Sequence, residues 1–390
     1  MHVMMLPSWY PTGPEDLAGS FFREQARVLA GAGHRVAVLA PRLVSLQDVV
    51  RLHPGARVRW TREDGIVVGR LDLVQWVPRA RTLRAALAGG RGGSVHRAFA
   101  TYVARFGRPD VLHAHSLYPG GYLARELSRH WGIPWVLTEH RSLDHLRVLT
   151  PLGARREARV VAGARVRCGV SHGQAAHLAR RFGDRGGKWE VLHDLVDDPA
   201  QARRGPRARS APLIGHLSNL APVKRLDLVV GAFAALLRAA PDARLLVAGP
   251  LDGRDDVRGL VASSGCASAV ELLGALPREQ VPAFLAGLDA LLMPSDSETF
   301  GVAIVESLAQ GTPVVATRTW GSSDIVGAGD GVLVEGGRGA EEVRAGLAHA
   351  LVDVVHEGGG RDGRRERCLA RFGRGAFLER SLEVYAEALR

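Results

Sequence analysis

The sequence predicts an α/β protein that contains two doubly wound parallel sheets in tandem. Short apolar runs alternate with longer amphipathic stretches along the chain, the pattern expected when parallel strands are joined by crossover helices. This alternation stops once, near the middle of the chain, and then resumes. Each half is long enough to bury a core of its own.

Each predicted strand is a short apolar run, and each predicted helix places apolar residues at helical spacing. In the first half, helices are expected at residues 19–31 and 120–130. The strands expected in the first half are residues 2–6, 35–40, 111–114, 135–138 and 168–170. Those expected in the second half are residues 213–216, 244–248, 270–272, 290–293 and 314–316.

The segment between the two halves has the composition of a linker. Residues 201–211, QARRGPRARSA, contain four arginines, a glycine and a proline, without an acid or a large apolar side chain. We therefore expect an N-terminal domain over residues 1–203 and a C-terminal domain over 204–371. The last segment, 372–390, has apolar residues at helical spacing and is predicted to form an amphipathic terminal helix.

A net positive charge is typical of nucleic-acid-binding proteins, but the composition of this chain argues against that function. The 390 residues include 51 basic and 40 acidic side chains, for a formal net charge of +11. Only Lys188 and Lys224 are lysines, so arginine supplies nearly all of the positive charge, as a GC-rich codon bias also would. No motif interleaves aromatic and basic residues as nucleic-acid-binding modules do. We expect no nucleic-acid partner.

The sequence also bears on cellular location. No apolar run reaches the ~18–20 residues of a membrane span, and residues 1–11 lack the basic start of a signal peptide. The cysteines Cys168, Cys266 and Cys368 lie too far apart for a disulfide framework or a zinc site. These features predict a cytoplasmic protein.

The most informative stretch is 294–315, PSDSETFGVAIVESLAQGTPVV. A predicted strand ends at Pro294, and polar residues lead into a helix that is expected to begin near Thr299. The backbone N–H groups of Thr299, Phe300 and Gly301 would then face outward at a helix N-terminus. Such groups form an anion site that suits a diphosphate.

Two glutamates, Glu298 and Glu306, flank this helix start. Eight helical residues would separate them by ~12 Å, at ~1.5 Å of rise per residue. The carboxyl groups of glycosidases lie closer together, at roughly 5–5.5 or 6.5–9.5 Å, so the spacing argues against simple hydrolysis. It favours contact with two ends of a long ligand whose phosphates lie between. Either glutamate alone would also fit an ordinary solvated helix.

Two further loops follow predicted strands and carry candidate phosphate contacts. In LIGHLSNLAPVKR, Lys224 and Arg225 open the next helix. A cation there is disfavoured by the helix dipole, which favours a function such as phosphate binding over an ordinary surface lysine at a helix start. In PSWYPTGPEDLAGS, Gly19 precedes a helix start that can present backbone N–H groups to phosphate.

A pair of histidines ends a third predicted strand. His113 and His115 lie two residues apart in DVLHAHSLYPGG, so on a strand they share one face. No third ligand at a recognisable spacing supports a metal site. We interpret His113 as structural and His115, further into the loop, as placed to meet a substrate. His140 in TEHRS is a weaker candidate.

Together these motifs resemble those of glycosyltransferase family 4. ETFGVAIVE reads as the E-x7-E signature of retaining GT-B glycosyltransferases. PSWYP, HAHSLYPGG, IPWVLTEH, the Lys224 loop, GALP and AQGTPVVAT extend the resemblance over nearly the whole chain. The resemblance implies two Rossmann-like, doubly wound domains facing a central cleft, with the 372–390 helix crossing back onto the N-terminal domain.

The resemblance also implies a reaction. A nucleotide-diphosphate sugar, by default a UDP-sugar with N-acetylglucosamine favoured, would bind the C-terminal domain. A hydroxylated small-molecule or lipid-linked acceptor would bind the N-terminal domain, and transfer would retain the anomeric configuration. By motif position, Glu298 would hold hydroxyls of the donor sugar, Glu306 would hold the ribose, and His115 would lie near the sugar and the acceptor.

Other residues are expected at the diphosphate and the base. Lys224, with Arg225, and the amides of Phe300 and Gly301 would stabilise the leaving diphosphate. Gly19 would approach the phosphates from the other domain. The base would contact the GALP segment, at Gly274 and Leu276.

The sequence departs from the family pattern at two places. Asn219 stands five residues before the lysine, where the family often has arginine. We expect Asn219 to contact the donor as a neutral amide, so Lys224 and Arg225 must carry more of the charge. This form, SNLAPVKR, is similar to that of the enzymes that begin bacillithiol synthesis, which transfer N-acetylglucosamine to malate. His193 and Asp194 replace the usual Pro-Asn of the hinge-side loop, which leaves that contact open.

Three classes of function remain under consideration, and the first is the glycosyltransferase that the resemblance implies. Because Asp296-x-Glu298 overlaps the E-x7-E signature, no separate metal motif is present, and we expect metal-independent transfer without a cofactor. A sugar-nucleotide epimerase or a phosphorylase on the same scaffold is an alternative, although two lysines offer few candidates for the pyridoxal-phosphate lysine of a phosphorylase. The third class is a non-enzymatic nucleic-acid- or membrane-binding protein.

One basic stretch is open to two interpretations. Residues 74–109 contain seven arginines and no acid, which could dock an anionic acceptor or make the protein peripheral to an anionic membrane. A biased genome would produce the same stretch as a solvated face. The arginines are Arg79, Arg81, Arg84, Arg91, Arg97, Arg105 and Arg108.

Overall fold

A computed structural model describes residues 1–13, 16, 19–45, 58–75, 94–142, 151–196, 211–337 and 339–390. The chain divides into two compact units. The first unit is formed by Met1–Val170, Gln174–Leu195 and Phe377–Arg390, and the second by Ser171–Gly173 and Val196–Ala376. The linker residues 201–210, and with them the predicted boundary at 203/204, lie outside the described residues.

The first unit is built on a sheet of eight described strands. These are β1 (His2–Pro7), β2 (Arg35–Ser45), β3 (Arg59–Glu63), β4 (Ile66–Gln75), β5 (Val111–His115), β6 (Trp135–Glu139), β7 (Val166–Gly169) and β8 (Glu190–Val191). Their order is β3-β4-β2-β1-β5-β6-β7-β8. The β3–β4 pair is antiparallel, and the other described pairs are parallel.

Helices cover both faces of this sheet, which explains why its central strands are apolar throughout. The helices are α1 (Ser20–Gly31), α2 (Ser94–Phe106), α3 (Tyr122–Trp131), α4 (Pro151–Gly163) and α5 (His172–Phe182). Met4 of β1 packs in a buried cluster with Phe99 of α2. Met5, which points to the opposite face, packs in a second cluster with Phe22 of α1.

The second unit contains a sheet of six described strands, all parallel. They are β9 (Leu213–Leu217), β10 (Arg244–Ala248), β11 (Val270–Gly274), β12 (Ala290–Met293), β13 (Val314–Thr317) and β14 (Gly331–Val334), in the order β11-β10-β9-β12-β13-β14. Its helices are α6 (Leu226–Ala239), α7 (Asp255–Ala262), α8 (Val281–Gly287), α9 (Val302–Ala309), α10 (Trp320–Ile325), α11 (Ala340–Glu357) and α12 (Arg361–Phe372).

Both sheets change winding direction at one point, between β1 and β5 in the first unit and between β9 and β12 in the second. In open parallel sheets, ligands bind beside the carboxyl ends of the strands at this switch point. The loops after β1, β5, β9 and β12 are therefore the places to look for chemistry. They carry most of the residues that the sequence singles out.

The terminal helix, α13 (Arg374–Leu389), lies mostly in the first unit. Phe377 and Tyr385 are buried in the cluster that contains Met5. The helix begins two residues later than predicted because Gly373 ends α12, with its N–H bonded to the carbonyl of Leu369. The predicted apolar stripe is not wholly buried, since Leu389 is 46% exposed.

The structure confirms the predicted fold class of two doubly wound parallel sheets, and it contains four strands that were not predicted from the sequence: β3, β4, β8 and β14. The β3–β4 hairpin has a recognisable signal, since Asp64 and Gly65 form its turn with φ of 50° and 80°, the Asp-Gly pattern of a tight hairpin. β8 and β14 are short, at two and four residues. Within the described ranges, no helix is both long and apolar enough to cross a membrane.

Candidate functional site

In the second unit, the loops after β9 and β12 are hydrogen bonded to each other and to α10. The N–H of Asp296 donates to the carbonyl of Val223 over 2.9 Å, and the N–H of Gly321 donates to the carbonyl of Glu298 over 2.9 Å. A Cβ on Gly321 would lie 1.6 Å from the carbonyl oxygen of Phe300. Only glycine therefore fits where α10 meets this loop.

These two loops bring together a lysine and a glutamate that lie 74 residues apart in the chain. Nζ of Lys224 lies 2.6 Å from Oε1 of Glu298, and the hydroxyl of Ser295 donates to the same oxygen over 2.8 Å. The lysine and glutamate side chains are 18% and 11% exposed. The pair is therefore mostly shielded from solvent at the end of the sheet.

The neighbouring Arg225 is engaged by two acids. It adopts a left-handed conformation with φ of 51° at the start of α6. Its guanidinium bonds both carboxylate oxygens of Asp227 and lies 2.9 Å from Asp296. These acids raise the pKa of Arg225 above its ordinary value. Lys224 is paired with a single acid, Glu298, and phosphate binding by Lys224 and Arg225 stays a prediction.

Asn219 shapes the loop in this structure. It is exposed, and its Oδ1 accepts the N–H of Ala221 over 3.1 Å, which is an Asx turn. The side chain next along, Leu220, is buried and left-handed, with φ of 54°. Donor contact by Asn219 stays a prediction.

The helix that follows β12 begins later than the sequence analysis expects. α9 starts at Val302, and Gly301, with φ of 112°, precedes it as the capping residue. Thr299 and Phe300 therefore belong to the loop, where the Phe300 ring is 3% exposed and packs against Phe372 at 5.7 Å between centroids. Because Glu298 is not helical, the ~12 Å of helical rise between the glutamates does not apply.

Glu306 is buried on α9 and forms an ion pair with Arg278. Burial raises the pKa of Glu306, and the guanidinium of Arg278 opposes that rise. Beside the pair lies a cavity of about 210 Å³, whose lining also includes Leu285 and Gln310. Among the described residues, neither amide atom of Gln310 finds a hydrogen-bond partner. Arg278 and Gln310 do not stand out in the sequence; the fold brings them against Glu306, which does.

The buried carboxyl of Glu306 predicts a pH dependence of stability. Since its pKa is raised in the folded state, stability is full below the unfolded pKa and falls as pH rises through the folded pKa. Glu306→Gln removes this loss, so the free energy of unfolding of the variant relative to the parent should rise between about pH 5 and about pH 8. Denaturant unfolding of both proteins at the two pH values measures it; a constant difference would contradict the prediction.

The loops after β9, β10 and β11 also pack closely. Gly274, with φ of 76°, ends β11, and its carbonyl accepts the N–H of Gly249 over 2.9 Å. A Cβ on Gly249 would lie 2.4 Å from the carbonyl oxygen of Ser218. Leu276 follows and is half-buried. Base contact by Gly274 and Leu276 stays a prediction.

His216, which the sequence analysis did not single out, joins the two strands at the switch point. Its ring lies 2.8 Å from the carbonyl of Leu292 in β12 and 2.8 Å from the hydroxyl of Ser218. Burial lowers its pKa to about 4, so the ring is neutral near pH 7. This histidine fixes where the Lys224 loop leaves the sheet.

In the first unit, the loop after β1 returns closely to the start of α1. Gly19 caps α1 with φ of 79°. A Cβ there would lie 2.9 Å from Cδ1 of Trp9 and 3.1 Å from its carbonyl oxygen. Both the backbone conformation and the space thus require glycine, as expected where a loop must leave room at a helix N-terminus.

Gly19→Ala should therefore disturb both the fold and the site. We expect it to lower the free energy of unfolding by about 1–3 kcal/mol and to reduce kcat/KM. Gly33→Ala is the matched control because Gly33 is also left-handed, with φ of 84°, but nothing lies within 4 Å of its added Cβ. Denaturant unfolding and kinetics on both variants separate backbone strain from the clash with Trp9. Equal kcat/KM in the two variants would contradict a special role for Gly19.

His113 and His115 share one face of β5, as predicted, with ring centroids 4.0 Å apart. The His113 ring lies 2.8 Å from the hydroxyl of Tyr385 and 2.8 Å from that of Thr138, and burial lowers its pKa to about 3. Both of its nitrogens are thus used inside the core. His115 is the last residue of β5 rather than part of the loop, and it is 1% exposed.

Glu139, at the end of β6, organises the loops around these histidines, and the sequence analysis missed it. Its carboxylate accepts the N–H groups of Leu117, His140 and Arg141 over 2.7, 3.0 and 2.9 Å. One buried acid thereby holds the ends of β5 and β6 together. The detectable signal is an acid that directly follows an apolar strand, in IPWVLTEH.

The acids beside Lys224 are each engaged by a cation. Asp296 lies 2.9 Å from Arg225, and Glu298 lies 2.6 Å from Lys224. Fixed cations thus occupy the positions next to this Asp-x-Glu sequence. Metal-independent chemistry stays a prediction.

The arginine-rich stretch is only partly described. Arg97 and Arg105 lie on α2, and Arg108 donates to the carbonyl of Trp131 over 2.6 Å. Arg79, Arg81, Arg84 and Arg91 lie outside the described residues. A membrane contact there stays a prediction.

Comparison with known proteins identifies the family of both units. The model of glycosyltransferase family 4 matches residues 18–198, and that of glycosyl transferases group 1 matches residues 197–356. A D-inositol 3-phosphate glycosyltransferase of Actinosynnema mirum is 31% identical over 416 residues, with 96% of each chain covered. One from Pseudarthrobacter chlorophenolicus is 32% identical over 256 residues, covering 60% of this chain and 61% of the relative. The match to this second relative thus spans about three fifths of its length.

Solved structures share the fold. The sucrose-phosphate synthase of Thermosynechococcus elongatus superposes with a TM-score of 0.77 at 19% identity, with 99% of each chain covered. An Anabaena protein in complex with UDP and glucose superposes with a TM-score of 0.70 at 17% identity, covering 99% of this chain and 100% of that one. Together with the family matches along both units, these likenesses establish that the chain belongs to family 4 of the GT-B glycosyltransferases.

Proposed function

We propose that this protein transfers a sugar from a nucleotide-diphosphate sugar to a hydroxylated acceptor, with retention of the anomeric configuration. The observation that carries the proposal is the Lys224–Glu298 pair, with 2.6 Å between Nζ and Oε1, at the switch point of the second unit. A cation and an anion side by side suit a ligand with a phosphate next to a polyhydroxylated ring. Family membership makes that ligand a sugar nucleotide.

The pair has a defined task in such a reaction. The acceptor oxygen bonds to the anomeric carbon on the same face from which the diphosphate leaves, so the configuration is retained. The bond from that carbon to the diphosphate oxygen breaks, and the departing oxygen keeps its electron pair and takes the proton of the acceptor hydroxyl. Lys224 has further N–H donors besides the one directed at Glu298, and a fixed ammonium stabilises charge as it develops on the leaving oxygen. The carboxylate of Glu298 accepts hydroxyl groups of the sugar.

The donor is proposed to be a UDP-sugar. Glu306 is buried beside a cavity of about 210 Å³, and a carboxylate is suited to accept both hydroxyls of a ribose. The UDP complex of the Anabaena neighbour supports the choice of UDP. Among sugars, N-acetylglucosamine is the first to test.

The acceptor is proposed to be a small hydroxylated molecule bound by the first unit. The curated relatives are named for D-inositol 3-phosphate, which makes it the first acceptor to assay, beside unphosphorylated inositol and malate. Loss of activity with unphosphorylated inositol would indicate that the phosphate is recognised.

A thermal-shift series over UDP-, GDP-, ADP- and TDP-sugars tests the donor. We expect a UDP-sugar to raise Tm most, and Glu306→Ala to reduce that shift. Glu335→Ala is the control, since Glu335 is exposed and pairs with Arg318. A shift with none of the four nucleotides would overturn the proposal, and a larger shift with GDP or ADP would overturn the choice of base.

We infer a cytoplasmic location from the sequence and propose that the arginine-rich stretch makes the protein peripheral to the inner membrane face. Seven arginines without an acid over residues 74–109 support this idea. Sedimentation with anionic and with neutral vesicles at ordinary salt tests it. Absence of binding to anionic vesicles would remove the membrane proposal without touching the proposed reaction.

A further inference from the structure

Three buried polar side chains form a connected row in the first unit. Nδ1 of His140 lies 3.3 Å from the nearer carboxylate oxygen of Asp194, and Nε2 of His140 lies 3.1 Å from Nδ1 of His115. Asp194, His140 and His115 are 5%, 8% and 1% exposed. Because they come from the loop after β8 and the ends of β6 and β5, the row exists only in the folded unit.

The acid at one end sets the direction of the hydrogen bonds. An ionised carboxylate can only accept, and Asp194 already accepts the side-chain amide of Gln25 over 2.9 Å. Nδ1 of His140 must therefore carry the proton directed at Asp194. In a neutral ring the other nitrogen then holds a lone pair, so Nε2 of His140 accepts and Nδ1 of His115 donates.

This leaves one nitrogen of His115 to a ligand. Burial and two neighbouring imidazoles hold the pKa of His115 well below its ordinary value, so the ring is neutral near pH 7. With the proton on Nδ1, the lone pair lies on Nε2, which is buried and has no hydrogen-bond partner among the described residues. A buried polar atom without a partner is costly, and a ligand hydroxyl would supply the missing partner.

We propose that Asp194 and His140 are positioning residues that hold His115 as the Nδ1–H tautomer, so that its Nε2 accepts a hydroxyl group of the sugar donor or the acceptor. His113 beside it shows the contrast, because both of its nitrogens already meet hydroxyl groups inside the protein, those of Tyr385 and Thr138. The identity of the ligand rests on the proposed function, whereas the tautomer of His115 is independent of that function.

The tautomer of His115 depends on the residue type at position 194. Asparagine has nearly the same shape, but its amide can present either an acceptor or a donor to His140. An asparagine there would allow the hydrogen bonds along the row to run in the opposite direction. Nε2 of His115 would then be protonated and unable to accept a hydrogen bond. Carboxylates fix the tautomer of histidines in this way where a ring must present a chosen nitrogen.

The direct test is the tautomer of His115 in the ligand-free protein, read by nitrogen NMR of ¹⁵N-histidine-labelled protein near pH 7. Assignment uses His115→Asn, whose spectrum lacks one pair of ring signals. We expect the shift of a protonated Nδ1 and an unprotonated Nε2. A protonated Nε2, a doubly protonated ring or an even mixture of tautomers would overturn the proposal. Because no substrate is present, the result is independent of whether the proposed reaction is right.

The kinetic test uses Asp194→Asn. We expect kcat/KM to fall by about 10- to 100-fold, the range seen when a group that orients a ligand-contacting histidine is removed, and the His115 signals to shift toward the other tautomer. Asp72→Asn is the matched control, since Asp72 lies at the surface and pairs with Arg42. Activity of Asp194→Asn equal to that of the control would overturn the positioning role, and the NMR test on the parent protein stands even if Asp194→Asn fails to fold.

Deoxy substrates identify which hydroxyl is bound. In the parent protein, kcat/KM should be lower for a donor sugar or an acceptor that lacks this hydroxyl, by the same factor that Asp194→Asn costs. In Asp194→Asn, the deoxy substrate should lower kcat/KM little further, because the variant has already lost that contact. Full additivity with every deoxy donor and every deoxy acceptor would overturn the proposed contact.

Discussion

Lys224→Ala should lower kcat about 10²–10³-fold, the cost of removing one fixed group that stabilises charge on a leaving oxygen. In the free protein the ammonium is held 2.6 Å from Glu298, so its position is set before any ligand arrives. A group already in place need not reorganise during the reaction, and its loss is felt mainly in kcat. Steady-state kinetics with a saturating donor measure the effect.

The chain offers a matched control for this change. Lys188 is the other lysine of the sequence; its side chain is 82% exposed and pairs with Glu190. Lys188→Ala should leave kcat within about twofold, as expected for a surface substitution. Equal activity of Lys224→Ala and Lys188→Ala would contradict a role for Lys224 in the reaction.

Glu298→Gln should reduce kcat/KM by about 10- to 10²-fold, since a charge-assisted hydrogen bond contributes about 1.5–3 kcal/mol. The amide keeps the size of the side chain, and its oxygen can still accept the hydroxyl of Ser295, but it cannot balance Lys224. Because Lys224 and Glu298 are in contact, the double variant should lose less than the product of the two single losses.

Glu335→Gln is the control for this substitution. Glu335 belongs to the same unit, is exposed and pairs with Arg318, so its neutralisation should leave kcat/KM unchanged within about twofold. Unfolding by denaturant verifies that Glu298→Gln stays folded. Independent, multiplicative effects of the Lys224 and Glu298 changes would argue that the two side chains do not act as one unit.

The sequence is most informative about what lies along single loops. The apolar runs locate most of the strands, and the motifs at their ends locate Gly19, His115 and Lys224, because doubly wound sheets place ligands beside strand ends. The start of α9 is misplaced by three residues, since the pattern does not reveal that Gly301 turns left-handed and that Phe300 is buried.

Contacts between distant loops could not be read from the sequence. The pairing of Glu306 with Arg278 depends on how α9 packs beside the turn before α8. The hydrogen bond from His140 to Asp194 joins two loops, and the two residues lie 54 positions apart in the chain. In the sequence, Asp194 appears only as a departure from the family pattern; in the structure, it sits at the end of a buried row of histidines.

The most direct test of the proposed function is the anomeric configuration of the product, measured by proton NMR. The purified protein is incubated with an α-linked UDP-sugar and the best acceptor from the assay above, and the coupling of the anomeric proton is followed as UDP is released. Retaining transfer predicts an α-linked product. A β-linked product, or a free sugar as the sole product, would contradict the proposed reaction.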